Sequence, residues 1–138
     1  MELDLQVVDG GPWLDRYRSH DLDIWFGLWG PDYPDPHSNA KAFGNHDPSD
    51  PDGTKGNLAD RFGWNSGELS DMVLAAVEEQ DTEKRKQMYE EIQRRHTDSS
   101  PFLYMFQDNR KVAMRKSVKG VVLGITFSDD RYGAVTKE

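Results

Sequence analysis

The chain has 138 residues, enough for one domain that buries about two-thirds of its unfolded surface. Its 25 acidic and 17 basic residues give a net charge of −8, which argues against a nucleic-acid partner, since phosphate binding needs clustered Lys and Arg. The absence of cysteine rules out disulfides, zinc–thiolate sites and thiol nucleophiles, and no apolar run approaches the ~20 residues that span a bilayer.

Leu3, Leu5 and Val7 alternate with Glu2, Asp4 and Gln6, the period-2 pattern of a strand. Gly10-Gly11-Pro12 ends it, and Pro12 suits the first position of a helix carrying Trp13, Leu14 and Tyr17 on one face to about Ser19. Leu22, Ile24, Phe26 and Leu28 then alternate with Asp23, Trp25, Gly27 and Trp29, a second strand that must stop at Gly30-Pro31. Together these predict a strand–helix–strand unit with a right-handed crossover. Ligands of such sheets bind beyond the carboxyl ends of the strands, where Asp32 and Tyr33 stand. The strand would thus bring Trp25, Trp29, Tyr33 and an acid to one spot, as a pocket for a cationic or polar organic ligand requires.

Residues 34–61 hold four of the seven prolines and read as a long polar loop, with a turn of helix at Ala40 to Phe43. Asp47, Asp50 and Asp52 lack the spacing of a calcium loop and read as solvated. Phe62 to Asn65 reads as a short strand or a loop anchor. Ser66 is the expected N-cap of a helix whose Leu69, Met72, Val73, Ala76 and Val77 form one buried stripe. Asp81 caps a second helix to about His96, with Met88, Tyr89 and Ile92 inward and the pairs Glu90–Arg94 and Glu91–Arg95 outward. Residues 102–106, 111–114 and 118–127 are three further strand candidates. The four histidines, His20, His37, His46 and His96, show no metal-ligand spacing and read as surface residues, His37 alone standing near the Asp32 turn. No metal site, cofactor site or nucleophile–base constellation emerges, and Asp32 with Asp35 in a Pro-rich turn does not constrain an acid–base pair. The chain reads as a binding protein, not an enzyme.

Three segments carry a family resemblance. The run Gly27-Leu28-Trp29-Gly30-Pro31-Asp32-Tyr33-Pro34-Asp35-Pro36 resembles the G-x-W-x-x-D-Y-x-x-P segment of the extracytoplasmic solute-binding proteins of peptide-type ABC importers (family 5: oligopeptide, dipeptide, nickel). Residues Asp81 to Tyr89 are similar to that family's D-x-x-x-R-x-x-x-Y helix start, and residues 101–107 to the strand that follows it. The order and spacing hold over most of the chain. Family members are several times longer, so the resemblance implies a C-terminal piece of one, and the lack of a signal peptide after Met1 fits that expectation.

The resemblance implies an α/β chain from the C-terminal part of a two-lobe, periplasmic-binding-protein-like fold. Residues 1–114 would complete one lobe and 115–138 would return toward the other. It implies a peptide or similar small solute as ligand, ABC permease subunits as partners, and a periplasmic or extracellular, membrane-associated location through the transporter or an N-terminal anchor. By local sequence Asp32 reads as a turn acid; by resemblance it accepts the ligand's α-ammonium group, with a backbone carbonyl near Gly30 as a second acceptor. Pro31 removes one backbone donor there. Trp29 reads equally as core or as a stacking surface for ligand, and Trp25 more as core. The alternative reading is an oligosaccharide receptor or a stand-alone sugar-binding module using Trp29 and Tyr33 as a platform.

Overall fold

The computed structural model describes residues 2–7, 11–49, 55–126 and 129–138. Five helices dominate the described residues: α1 (Gly11–Arg18), α2 (Pro36–Gly44), α3 (Leu58–Arg61), α4 (Glu68–Glu78) and α5 (Thr82–Ser99). Strands are few: β1 (Val118–Lys119) pairs antiparallel with β2 (Thr136–Lys137), and Val122 bridges Arg131. This content of helices with few strands is consistent with an α/β chain.

The helix ends show why these segments fold locally. Asp81 caps α5 as its sequence position predicts, its carboxylate accepting from the Lys84 N–H at 2.8 Å. Asp35 caps α2 in the same way, accepting from the His37 N–H at 2.8 Å with Pro36 at the first helical position. That pair extends the expected turn at 40–43 into a nine-residue helix. The cap of α4 departs from expectation. Ser66 does not cap it; its hydroxyl instead accepts from the His46 N–H and donates to the His46 carbonyl, each at 3.1 Å, and Gly67 takes the cap position.

The main core lies where α4 and α5 cross under α2. Leu69, Val73 and Ala76 of α4 meet Tyr89 and Ile92 of α5, following the expected stripes except at Val77, which is 42% exposed. A second cluster joins Tyr17 of α1 to Ala42 and Leu58, flanked by Trp13, Trp25, Phe43, Phe62 and Phe102. On the outer face of α5, Glu91 pairs with Arg95 at 2.9 Å as expected. Arg94 pairs with Glu91 rather than with Glu90.

The predicted strands at 2–7, 22–29, 102–106 and 111–114 are not in a ladder, so the strand–helix–strand unit keeps only its helix. Alternation gives a segment an apolar face but not a partner for its N–H and C=O groups. These segments accordingly leave their apolar positions in solvent: Leu5 is 85%, Leu28 75% and Leu103 84% exposed. Segments 22–29 and 102–106 do run near one another, with the Phe26 and Phe106 rings 6.4 Å apart. Of the strand predicted over 118–127, only the two-residue β1 and the Val122 bridge form. Phe127, Gly10 ahead of α1, and Asp50 and Asp52 of the aspartate run lie outside the described residues.

Besides the β1–β2 pairing, an ion pair ties down the C-terminal segment. Arg110 donates to both carboxylate oxygens of Asp130 at 2.7 Å and also to the carbonyls of Gly124 and Thr126. The guanidinium holds the Asp130 carboxyl well below the usual carboxylate range. Among the described residues no helix is long and apolar enough to cross a membrane.

Truncating the α4–α5 core should be costly. Ile92→Ala is expected to lower unfolding stability by about 2–5 kcal/mol. Leu74→Ala, at a half-exposed position of α4, should cost under about 0.5 kcal/mol. Urea unfolding followed by tryptophan fluorescence measures both.

Candidate functional site

The segment from Trp29 to Asp35 is a turn laid on the start of α2 and pinned at both ends. At one end the Trp29 indole N–H donates to Asn39 Oδ1 at 3.0 Å, and its ring meets the Phe43 ring edge-on, 5.9 Å away. In the middle the Asp32 N–H donates to Ser38 Oγ at 2.8 Å. At the other end the Asp35 N–H donates to the Tyr33 carbonyl at 2.8 Å, and Asp35 becomes the cap of α2. Anchoring leaves the Asp32 carboxylate and the Tyr33 ring free to face outward.

Trp29, Asp32 and Tyr33 line one cleft of about 320 Å³, whose opposite walls come from α2 and α3. The cleft is near the lower end of small-molecule sites, which run about 300–1,000 Å³. Two other sequence candidates are not part of its lining. Gly30 lies on the exposed turn. Trp25 stacks on Tyr17, with ring centroids 4.3 Å apart and planes 8° apart, and on Trp13 beyond it. Its indole lies over Gly27, where a Cβ would overlap the ring. Trp25 and Trp29 therefore do not share a strand face.

The second sequence motif buttresses the first. Arg85 of α5 donates to both oxygens of Asp35, at 2.9 and 3.1 Å, in the bidentate geometry that suits guanidinium and carboxylate. The same guanidinium lies over the Tyr89 ring at 4.9 Å and donates to the Ala76 carbonyl and to Tyr89 Oη. Tyr89 Oη lies 3.1 Å from His37 Nδ1. Because Oη accepts from Arg85, its own proton is available to Nδ1. Arg85 holds the Asp35 carboxyl below its ordinary value, whereas burial pushes His37 down and the Tyr89 phenol up.

His96 and His46 contradict the surface reading, being only 5% and 6% exposed. His96 packs flat on Phe102 and edge-on to Phe43 and Trp64. Its Nε2–H donates to the Phe43 carbonyl at 3.2 Å, which leaves Nδ1 to accept from Ser100 and Tyr104, each 3.2 Å away. The two bonds at Nδ1 need the neutral ring, and burial lowers its pKa, outweighing the Phe43 carbonyl, which favours the charged form. Its helical phase was a usable signal: Tyr89, Ile92 and His96 fall three and four residues apart on one stripe. Lys41 and Arg61 also line the cleft. Nothing in their local sequence marks them, because their proximity to Asp32 is set by how α2 and α3 pack.

The chain is 34% identical, over 118 residues and 86% of its own length, to the "Probable D,D-dipeptide-binding periplasmic protein DdpA" of Escherichia coli (strain K12). The similarity is to a periplasmic dipeptide-binding protein, in keeping with the resemblance carried by the three sequence segments. It spans 22% of that relative's length. No family model and no solved structure matches it.

A double-mutant cycle on Asp35→Ala and Arg85→Ala should give a coupling of about 1–2 kcal/mol, moderate because the two side chains are 36% and 25% exposed. Asp35 is depressed in the fold, so its contribution is present above its ordinary value of 3.8 and is lost as pH falls through the folded value. Stability of Asp35→Asn should therefore be flatter than wild type below about pH 4. His96, depressed from 6.5, acts in the same direction: stability should fall as pH drops below 6.5, less steeply in His96→Phe. Urea midpoints measured from pH 3 to 8 test both signs.

Proposed function

We propose that this chain is part of the solute-binding component of an ABC importer, acting outside the cytoplasmic membrane and working with permease subunits. The observation that carries the reading is the placement of Trp29, Asp32 and Tyr33 in one cleft, on a turn pinned to α2. The relative's name supports a dipeptide as ligand. In this reading the Asp32 carboxylate accepts the ligand's α-ammonium group, and Trp29 and Tyr33 cover its apolar part. A charge-assisted contact of that kind is worth roughly 1.5–3 kcal/mol when shielded from water, and less in a cleft as open as this one.

The activity is binding without chemistry. Residues 1–114 belong to one ligand-binding lobe and 115–138 lead toward the other. The solute stabilises a closed arrangement by its differential contacts, and the permease reads that state.

Two-dimensional NMR tests the reading. The Trp29 indole N–H, assigned by Trp29→Phe, should shift on titration with a D,D-dipeptide at millimolar concentration. Asp32→Ala should weaken the effect by about 10-fold, or 1.4 kcal/mol. An oligosaccharide pool that moves the same signal equally in wild type and in Asp32→Ala would instead make the aromatic pair a sugar platform and Asp32 a turn residue.

A further inference from the structure

The chain leaves more surface in water than a compact monomer of its size. It exposes 10717 Å², against about 7,300 Å² from the size scaling of folded monomers at 15.8 kDa. The difference, about 3,400 Å², exceeds the roughly 1,000–2,500 Å² that each partner of an obligate dimer buries.

Two extended segments contribute to it in a form that specifies a partner. Residues 2–7 and 111–115 are exposed throughout and in no ladder. Among the described residues no backbone N–H or C=O of 2–7 or 111–114 is in a backbone hydrogen bond. Open groups of this kind are a template for another strand. Gln6 accepts from the Arg16 guanidinium of α1 at 2.6 Å, which anchors the first segment by a side chain and leaves its ladder groups open.

Successive side chains of a strand point to opposite faces. In 2–7, Leu3, Leu5 and Val7 stand on one face and Glu2 and Asp4 on the other. In 111–115, Val112 and Met114 stand on one face and Lys111 and Arg115 on the other. Residues directly opposite in a ladder share a face, so any register that joins the apolar faces also sets the acids against the bases. Either segment paired with itself would set like charges opposite each other, which is unfavourable. Among the described residues none of these four charged side chains is in an ion pair. Segments 22–29 and 102–106 are exposed too, but Asp23 is their single charged residue, so charge marks no partner for them.

We infer that two copies of this chain associate, segment 2–7 of each adding as a strand to segment 111–115 of the other. An acidic and a basic strand on one chain supply both halves of the contact, as a self-complementary interface requires. Exchanged in both directions, the pairing closes on a two-fold axis. None of these residues lines the Asp32 cleft, so the inference stands apart from the ligand reading.

Sedimentation velocity of the full chain, from low micromolar to millimolar concentration, tests it. The expected result is a species with the mass of two chains. Glu2→Lys with Asp4→Lys in one variant, and Lys111→Glu with Arg115→Glu in another, should each weaken association by ~10-fold or more, since like charges then face across the ladder. Mixed in equal amounts, the two variants should dimerise again, because acids meet bases at both contacts. All four positions are exposed, so unchanged circular dichroism is expected of each variant. A monomer at every concentration would overturn the inference and leave these edges to a different polypeptide. A dimer that neither double variant weakens would overturn it too, as would a mixture that fails to dimerise. Growth into species larger than two chains would overturn the reciprocal exchange.

Discussion

The bidentate pair between Asp35 and Arg85 is the contact on which the site depends. Asp35 does two jobs with one carboxylate. It accepts the His37 N–H to start α2, and it receives the guanidinium of α5 fifty residues later in the chain. The start of α2 is therefore fixed by local capping and by a long-range charge pair at once. The turn from Trp29 to Asp35 inherits that position, because its backbone and the Trp29 indole are tied to Ser38 and Asn39 on the same helix. Arg85 is itself held by the Ala76 carbonyl and the Tyr89 ring, so the clamp connects the α4–α5 core to the cleft.

Behind the cleft the support is aromatic. Trp29 rests on Phe43, and Phe43 rests on Phe102 and on His96. His96 is a polar group inside an aromatic cage, and each of its ring nitrogens has a partner there. A buried imidazole satisfied in this way specifies one arrangement of its neighbours, since any shift leaves a donor or acceptor unmet. Charging the ring would convert Nδ1 from acceptor to donor, so the cage and the platform above it are linked to protonation.

Two of the three stretches of family resemblance acquire a physical explanation here. One supplies Trp29, Asp32 and Tyr33 to the cleft, with Asp35 behind them. The other supplies Asp81, which starts α5, and Arg85 and Tyr89, which grip the first motif from behind. Spacing of four residues puts Arg85 and Tyr89 on the same side of α5, which is why both reach residues at the start of α2.

The sequence by itself determined α1, α4 and α5, because capping and 3.6-residue periodicity are local, whereas it showed α2 only as a turn and α3 lay inside the predicted loop. Asp81, the stripe of Leu69, Val73 and Ala76, and the Pro12 helix start needed no knowledge of the fold. It also marked Trp29, Asp32 and Tyr33, since a strand pattern broken at Gly30-Pro31 and followed by an acid is visible along the chain. Local pattern could not show whether alternating segments find partners, and the apolar positions at 3–7, 22–28 and 103–106 read as strands without forming a ladder. Tertiary structure alone decided that His96 is buried, that Asp35 meets Arg85, and that Lys41 and Arg61 share a cleft with Asp32. Each of these joins residues whose proximity depends on how helices pack, and helix packing is set by the summed fit of many side chains, not by any one stretch of the chain.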